Sequence, residues 1–161
     1  MAKVDLKNAT IKIKDGTSPT PNELEIKIGD GVLEYTERRT IEYELDRGVL
    51  DEVSEGDEVP VDVSIDFIWE FLRASVGDPP TVEDALKQRG EASSWVSSDA
   101  DTCRPYAVDI EITVDPPCGA IQNEVILLSD FRYEELGHNI REAQVSVRGR
   151  CNVKEATVTR S

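Results

Sequence analysis

The stretch VPVDVSIDFIWEF, Val59–Phe71, decides the fold. Its odd positions read Val59, Val61, Val63, Ile65, Phe67, Trp69 and Phe71. Its even positions read Pro60, Asp62, Ser64, Asp66, Ile68 and Glu70. Period two gives one apolar face and one mostly polar face, the pattern of a half-buried antiparallel strand. These thirteen residues would extend about 43 Å at roughly 3.3 Å each, against a usual strand of five or six.

The segment before it has the same grammar. Leu33, Tyr35, Ile41, Tyr43 and Leu45 fall on one face; Glu34, Thr36, Arg38, Thr40, Glu42, Glu44 and Asp46 fall on the other. Glu37 and Arg39 interrupt the apolar face, which predicts a bulge, bend or exposed end there. Between the two strands lies RGVLDEVSEGDE, Arg47–Glu58, which contains Gly48 and Gly56 and is too long for a tight hairpin turn. The pattern predicts a long hairpin over 32–72 with a projecting acidic loop at 47–58.

Further strands flank it. Ile11 and Ile13 alternate with lysines, and Leu24, Ile26 and Ile28 alternate before the turn signal Gly29-Asp30-Gly31. Between them, Asp15–Asn22 is a Pro/Gly/Ser/Thr loop. Tyr106 to Val114 alternates and is stopped by Asp115-Pro116-Pro117, because proline cannot donate to a ladder. Glu124–Leu128 predicts a short strand, Ala143–Arg150 an alternating one, and Val153–Thr159 a last one. One helix is expected at about 81–89, capped by Thr81, with Glu83 and Asp84 in its first turn, Val82, Ala85 and Leu86 as its apolar stripe, and Gly90 ending it. No repeat or linker divides residues 1–161. The expectation is one mainly β domain, a β-sandwich or open barrel with one short flanking helix.

Composition bounds the function. The chain has 161 residues, with 18 Lys+Arg against 33 Asp+Glu, a net charge of −15. Such a length supports a real core, and 39% hydrophobic residues exclude a disordered acidic tail. The longest aliphatic run is Val125–Leu128, far short of the roughly 18 residues that span a bilayer. The opening MAKVDLKNAT has no apolar core of a signal peptide, so no membrane anchor is expected. The charge argues against ordinary nucleic-acid binding and against anionic membranes. It does not exclude a protein that keeps DNA from sticking to it.

Cys103, Cys118 and Cys151 show no C-x-x-C spacing, which favours reduced structural thiols. A Cys103–Cys118 bridge stays open, since spacing cannot place the Cβ atoms. His138 has no local nucleophile motif beside Cys118 or Cys151. Most carboxylates fall on outward positions of strands, and nothing places two of them in an apolar pocket as a glycosidase requires. Asp51–Glu58 lacks the order of an EF-hand loop, and Asp99 and Asp101 make a weaker calcium case. No catalysis, metal or cofactor is expected.

A one-sign patch does need explaining. Residues 41–70 hold Glu42, Glu44, Asp46, Asp51, Glu52, Glu55, Asp57, Glu58, Asp62, Asp66 and Glu70 against the single Arg47, a net of −10. Solubilising surfaces usually mix signs, and like charges along paired strands repel. A field of one sign suits repelling an anion or attracting a basic partner. The hairpin is also longer than a compact chain of this size needs, with a radius of gyration of about 15 Å. An overlong amphipathic hairpin usually continues a sheet built by several chains.

The stretch IKIGDGVLEYTERRTIEYELDRGVLDEVSEGDEVPVDVSIDFIWEFL (Ile26–Leu72) resembles the tail tube, or major tail, proteins of long-tailed bacteriophages. DFRYEELGHNIREAQVSVRGRCNV (Asp130–Val153) is similar to their C-terminal part. The resemblance spans roughly residues 9 to 155. It implies a tail-tube-type β-sandwich whose long hairpin joins an oligomeric inner β-barrel. It further implies homohexameric rings stacked into a tube, in a virion tail assembled in the host cytoplasm. The partners it implies are other copies of the chain, a tape measure protein, a tail terminator and baseplate or distal tail proteins, with DNA passing through unbound. By the same resemblance, Glu34, Glu42, Glu44, Asp62, Asp66 and Glu70 line an acidic lumen. Arg47, Asp51, Glu52, Glu55, Asp57 and Glu58 belong to a loop reaching an adjacent subunit or ring. Acidic walls deny duplex DNA the phosphate contacts behind non-specific binding. Arg38, Arg39 and Arg47 depart from that pattern and sit either in intersubunit salt bridges or where the hairpin faces a neighbour. Related tube proteins occur in contractile tails and in bacterial secretion and injection machines, and a tube subunit of such an apparatus is one alternative; a monomeric acidic β-sandwich module that recognises a basic partner is the other.

Overall fold

The computed structural model describes residues 9–26, 32–68, 80–101, 103–114 and 123–160. The protein is mainly β, with antiparallel pairing throughout and one short α-helix among the described residues. The body is one sheet. Its strands are β1 (Ala9–Lys14), β2 (Glu23–Glu25), β3 (Leu33–Thr36), β6 (Val61–Ile68), β7 (Val108–Val114), β8 (Glu124–Asn139) and β9 (Gln144–Cys151), in the order β2-β1-β7-β8-β9-β6-β3. The short β10 (Thr157–Arg160) also pairs with β8. A separate pair, β4 (Arg39–Asp46) and β5 (Val49–Glu58), makes its own two-stranded sheet.

The strand β8 joins two halves of the body. Its first part, Glu124–Phe131, pairs with β7. Its second part, Phe131–Asn139, pairs with β9. The ladder slips at both ends of this switch, between Val108 and Ile110 and between Tyr133 and Glu135. Asp130 sits there with φ 58°. Extra residues of this kind bend a strand and steepen its twist. The sequence pattern marked only Glu124–Leu128 as strand, because the slips destroy the alternation over Ser129–Asn139.

The predicted alternation places the core. Ile11 and Ile13 of β1, Ile110 and Ile112 of β7, Val61, Val63, Ile65 and Phe67 of β6, and Val145, Val147 and Cys151 of β9 are all buried. Phe131 is the largest of the fully buried side chains. Gly149 makes room for it: a Cβ there would run into the Arg132 carbonyl oxygen and lie 2.9 Å from Phe131 Cε2. Trp69, Glu70 and Phe71, the Gly29–Gly31 turn, the Asp115–Pro117 stop and Cys118 lie outside the described residues.

The helix α1 (Val82–Lys87) closes one side, burying Val82, Ala85 and Leu86. Thr81 caps it, its Oγ accepting from the Asp84 N–H at 3.3 Å. The helix ends earlier than expected. Gln88 takes the left-handed cap position at φ 54°, and Gly90, with φ 59°, opens a 3-10 turn instead. Asp15, buried at the end of β1, pins the loop that follows it. It accepts from the N–H groups of Thr17 and Val96 (3.1 Å each) and Asn22 (2.7 Å), and from the Thr17 hydroxyl and Asn22 amide (2.7 Å each).

Glu83 fastens the helix to β8. It lies 2.9 Å from His138 Nε2, 2.9 Å from Lys87 Nζ and 2.8 Å from Arg89 Nη2. Burial raises its pKa, but hydrogen bonds from His138 and Lys87 outweigh that and hold the carboxyl down from 4.5 to about 2. A depressed acid stabilises the fold above its unfolded pKa and loses that contribution as pH falls through the folded value. Glu83→Gln is therefore expected to lower the thermal midpoint at pH 7. The gap between variant and wild type should close as pH drops from 4.5 towards about 2, measured by circular dichroism melts across that range.

Candidate assembly interface

The surface of interest is the arm formed by β4 and β5. Residues 47–58, expected as a projecting loop, are a two-residue turn, Arg47-Gly48, followed by the ten-residue strand β5. Both turn residues have positive φ, 52° and 83°, as a type I′ turn requires. Glycine takes that region freely; Arg47 occupies it at some cost. The sequence VLDEVSEGDE hid the strand because its apolar residues do not alternate. The ladder slips at Glu44/Leu45, so that Leu45 faces Leu50 while Glu44 faces Glu52, leaving Asp51 unpaired between them.

The arm has two unlike faces. One carries Tyr43 opposite Val53 and Leu45 opposite Leu50. These four are 62%, 64%, 63% and 69% exposed, respectively. The other face carries Glu42 opposite Ser54 and Glu44 opposite Glu52, two like charges that oppose pairing. Over 39–58 there are eight acids, Glu42, Glu44, Asp46, Asp51, Glu52, Glu55, Asp57 and Glu58, against Arg39 and Arg47. An isolated two-stranded ribbon is marginal in water, and contiguous exposed apolar side chains mark interaction surfaces. Tyr43 and Leu45, expected to share a buried face with Leu33 and Tyr35, are instead free of the core that the latter two join.

At the arm's root both strands break at one level. Glu37 and Arg38 separate β3 from β4, and Val59 and Pro60 separate β5 from β6. Pro60 has no N–H to extend the ladder. Three polar ties surround this break. Arg38 pairs with Asp62. Glu37 Oε1 accepts from the Ala156 N–H at 3.0 Å. Lys154 Nζ lies 4.0 Å from Glu58.

The acids read from sequence as one row are divided. Glu34, Asp62 and Asp66 share the polar face of the body sheet, since Glu34 pairs with Ser64 and Ser64 alternates with both aspartates. Glu42 and Glu44 lie on the arm, and Glu70 lies outside the described residues. Strand β9 adds what the sequence reading missed. Arg150 stands opposite Asp62, with Nε 3.3 Å from its carboxylate, and Arg148 stands opposite Ser64. The body face is of mixed sign, while the arm stays strongly acidic. The alternation of Arg148 and Arg150 was visible in the sequence; their strand neighbour was not.

Other candidate groups are engaged structurally. Cys151 is a free, buried thiol, pushed up to about 12 by burial and by Asp109 and Asp130. Its cross-strand neighbours are Val61 and Phe131, whereas His138 stands opposite Val145 and binds Glu83. Cys103 is a free, exposed thiol. Asp99, the weak calcium candidate, accepts from Arg132 at 2.7 Å and Arg104 at 3.4 Å. Among the described residues, no group of three or more His, Cys, Asp or Glu side chains could hold a metal ion.

No protein-family model matches the chain, and comparison with curated protein sequences finds no match. Solved structures do match. The sheath/tube terminator of an extracellular contractile injection system (PVC), in its extended state, aligns over 99% of this chain and 98% of its own, with a TM-score of 0.55 and 9% identity. The two chains share a fold. A chain of the anti-feeding prophage baseplate aligns over 99% and 97%, with a TM-score of 0.41 and 8% identity.

The division between body and arm makes contrasting truncations informative. Ile110, fully buried, should cost about 2–5 kcal/mol on replacement by alanine. Leu50→Ala should change the stability of the free subunit by no more than about 0.5 kcal/mol. Urea unfolding of the two variants measures both.

Proposed function

We propose that the chain is a structural, non-catalytic subunit of a phage-tail-like tube. Copies close into rings, six to a ring, and rings stack into the conduit that carries double-stranded DNA out of a long-tailed virion. The observation that carries this is the arm, an amphipathic ribbon whose apolar face has no partner within its own chain among the described residues. Such a face needs a protein neighbour, and the residues of the hairpin resemble those of tail tube proteins. The fold shared with the injection-system terminator supports a place in an assembly of this kind.

In this reading Glu34, Glu42, Glu44, Asp62, Asp66 and Glu70 line the bore. Arg148 and Arg150, on the same body face as Asp62, moderate the field there. Arg47, Asp51, Glu52, Glu55, Asp57 and Glu58 make contacts between subunits from the turn and far strand of the arm. A tape measure protein, a tail terminator and baseplate or distal tail proteins complete the particle, which assembles in the host cytoplasm. Tube subunits of bacterial secretion or injection machines would use the same surfaces.

A second reading is favoured by the terminator itself. We infer from the terminator's name that a chain with this fold could end a tube instead of repeating along it. Negative-stain microscopy of concentrated wild-type protein separates the two: stacked tubes support the repeating subunit, isolated rings the cap. Replacing residues 40–57 by a short glycine linker should leave the body folded by circular dichroism and abolish both forms. Rings or tubes from that variant would remove the arm from assembly.

A further inference from the structure

In a chain of net charge −15, one groove gathers cations. A cavity of about 500 Å³ is lined by Arg104, Arg132 and Arg150, with Pro60 and Pro105 as flat apolar walls and Glu134 as its one acid. The guanidinium groups are held from behind. Arg132 donates through Nε to the Pro105 carbonyl at 2.9 Å and through Nη2 to Asp99 at 2.7 Å. Arg104 lies 3.4 Å from both Asp99 and Asp101. Arg150 uses Nε towards Asp62 at 3.3 Å and Glu134 at 3.6 Å. A guanidinium has five donors, so Arg150 keeps both Nη groups for a ligand. Arg150 and Arg104 are also more than half exposed.

The groove does not end there. It shares Pro60 and Asn152 with a second cavity, which in turn shares Glu58, Val59 and Lys154 with a third at the arm's root. These adjoining cavities suit an extended segment more than a compact ion, and Glu37, Glu55, Glu58 and Glu155 at the far end confine the place for carboxylates to the arginine end. Planar, fixed guanidinium groups recognise carboxylates in pairs, and the proline walls suit aliphatic side chains. A segment that carries both chemistries is the arm's own VLDEV, Val49–Val53, two adjacent acids between apolar residues.

We propose that the arginine groove of one copy is the receptor for the acidic face of the arm of a second copy, engaging Asp51 and Glu52 beside Val49. This rests on the reading of the arm as an assembly element and names its receptor. The arm does not serve its own groove: the ten residues of β5 carry its tip roughly 33 Å from a root that already adjoins these cavities. Each copy then offers one arm and one groove. The contact is head-to-tail, and such contacts propagate or close into rings.

The test uses two charge reversals and a cross-link. Arg104→Glu with Arg150→Glu disables the groove; Asp51→Lys with Glu52→Lys disables the arm. Each variant alone should associate at least about tenfold more weakly than wild type in sedimentation velocity. Mixed together, they should form a one-to-one complex that does not grow, since only one arm and one groove remain active. Independently, Asp51→Cys should form intermolecular disulfide ladders with native Cys103, the exposed neighbour of Arg104, under oxidised glutathione, and Cys103→Ser should abolish them. A groove variant that assembles like wild type, ladders that persist without Cys103, or an intramolecular disulfide would each overturn the receptor while leaving the arm's role in assembly standing. Wild-type protein that stays monomeric at every concentration would overturn both. Inorganic phosphate that binds the groove without weakening association would mark a small-anion site and overturn the proposal.

Discussion

The body depends on the packing of one side chain, Phe131. It is the common pairing point of the two halves, opposite Val108 of β7 on one side and Cys151 of β9 on the other. It is 1% exposed. The strand bends here, with Asp130 in the left-handed region just before it, and Gly149 leaves the space its ring fills. Strand β7 lies on one edge of β8 and β9 on the other, with β10 pairing the first part of β8, so Phe131 is where the two main ladders overlap. Phe131 belongs there to one buried cluster with the valines and isoleucines of β6, β7 and β9.

Legibility in the sequence followed burial. Strand β6 was readable because one of its faces lies wholly in the core, so every second residue is apolar. The helix was readable from Thr81 and its acidic first turn, although Gln88, not Gly90, stops it. The segment 47–58 was misread because its strand has no buried face: Val49, Leu50 and Val53 follow no period once Asp51 bulges out. Likewise the far half of β8 carries two ladder slips, and its pattern reads as noise. Arg148 and Arg150 were visible as outward residues of β9. That they flank Asp62 depends on strand order, which alternation alone does not encode.

Charge is distributed by the same logic. On the body, acids and bases interleave across neighbouring strands, as Asp62 does with Arg38 and Arg150. Lys14 does so as well, 2.6 Å from Glu111 and 3.3 Å from Glu23. On the arm the acids outnumber the bases eight to two, and Glu44 faces Glu52 directly. The arm thus carries −6 of the chain's −15 within its twenty residues, 39–58. Such a ribbon responds to ionic strength far more than the body does, because exposed charges are screened and buried packing is not.

The paired break at Glu37-Arg38 and Val59-Pro60 has a consequence for the protein between synthesis and use. Among the described residues, both outer edges of β4 and β5 offer unpaired backbone groups, and such edges template indiscriminate strand addition. Here the hazard is held by gatekeepers. Pro60 denies the ladder a route from body to arm, and acids flank each short apolar run, Asp46 before Val49-Leu50 and Asp51-Glu52 after it. Arms of like charge repel one another at close range, which disfavours edge-to-edge strand addition.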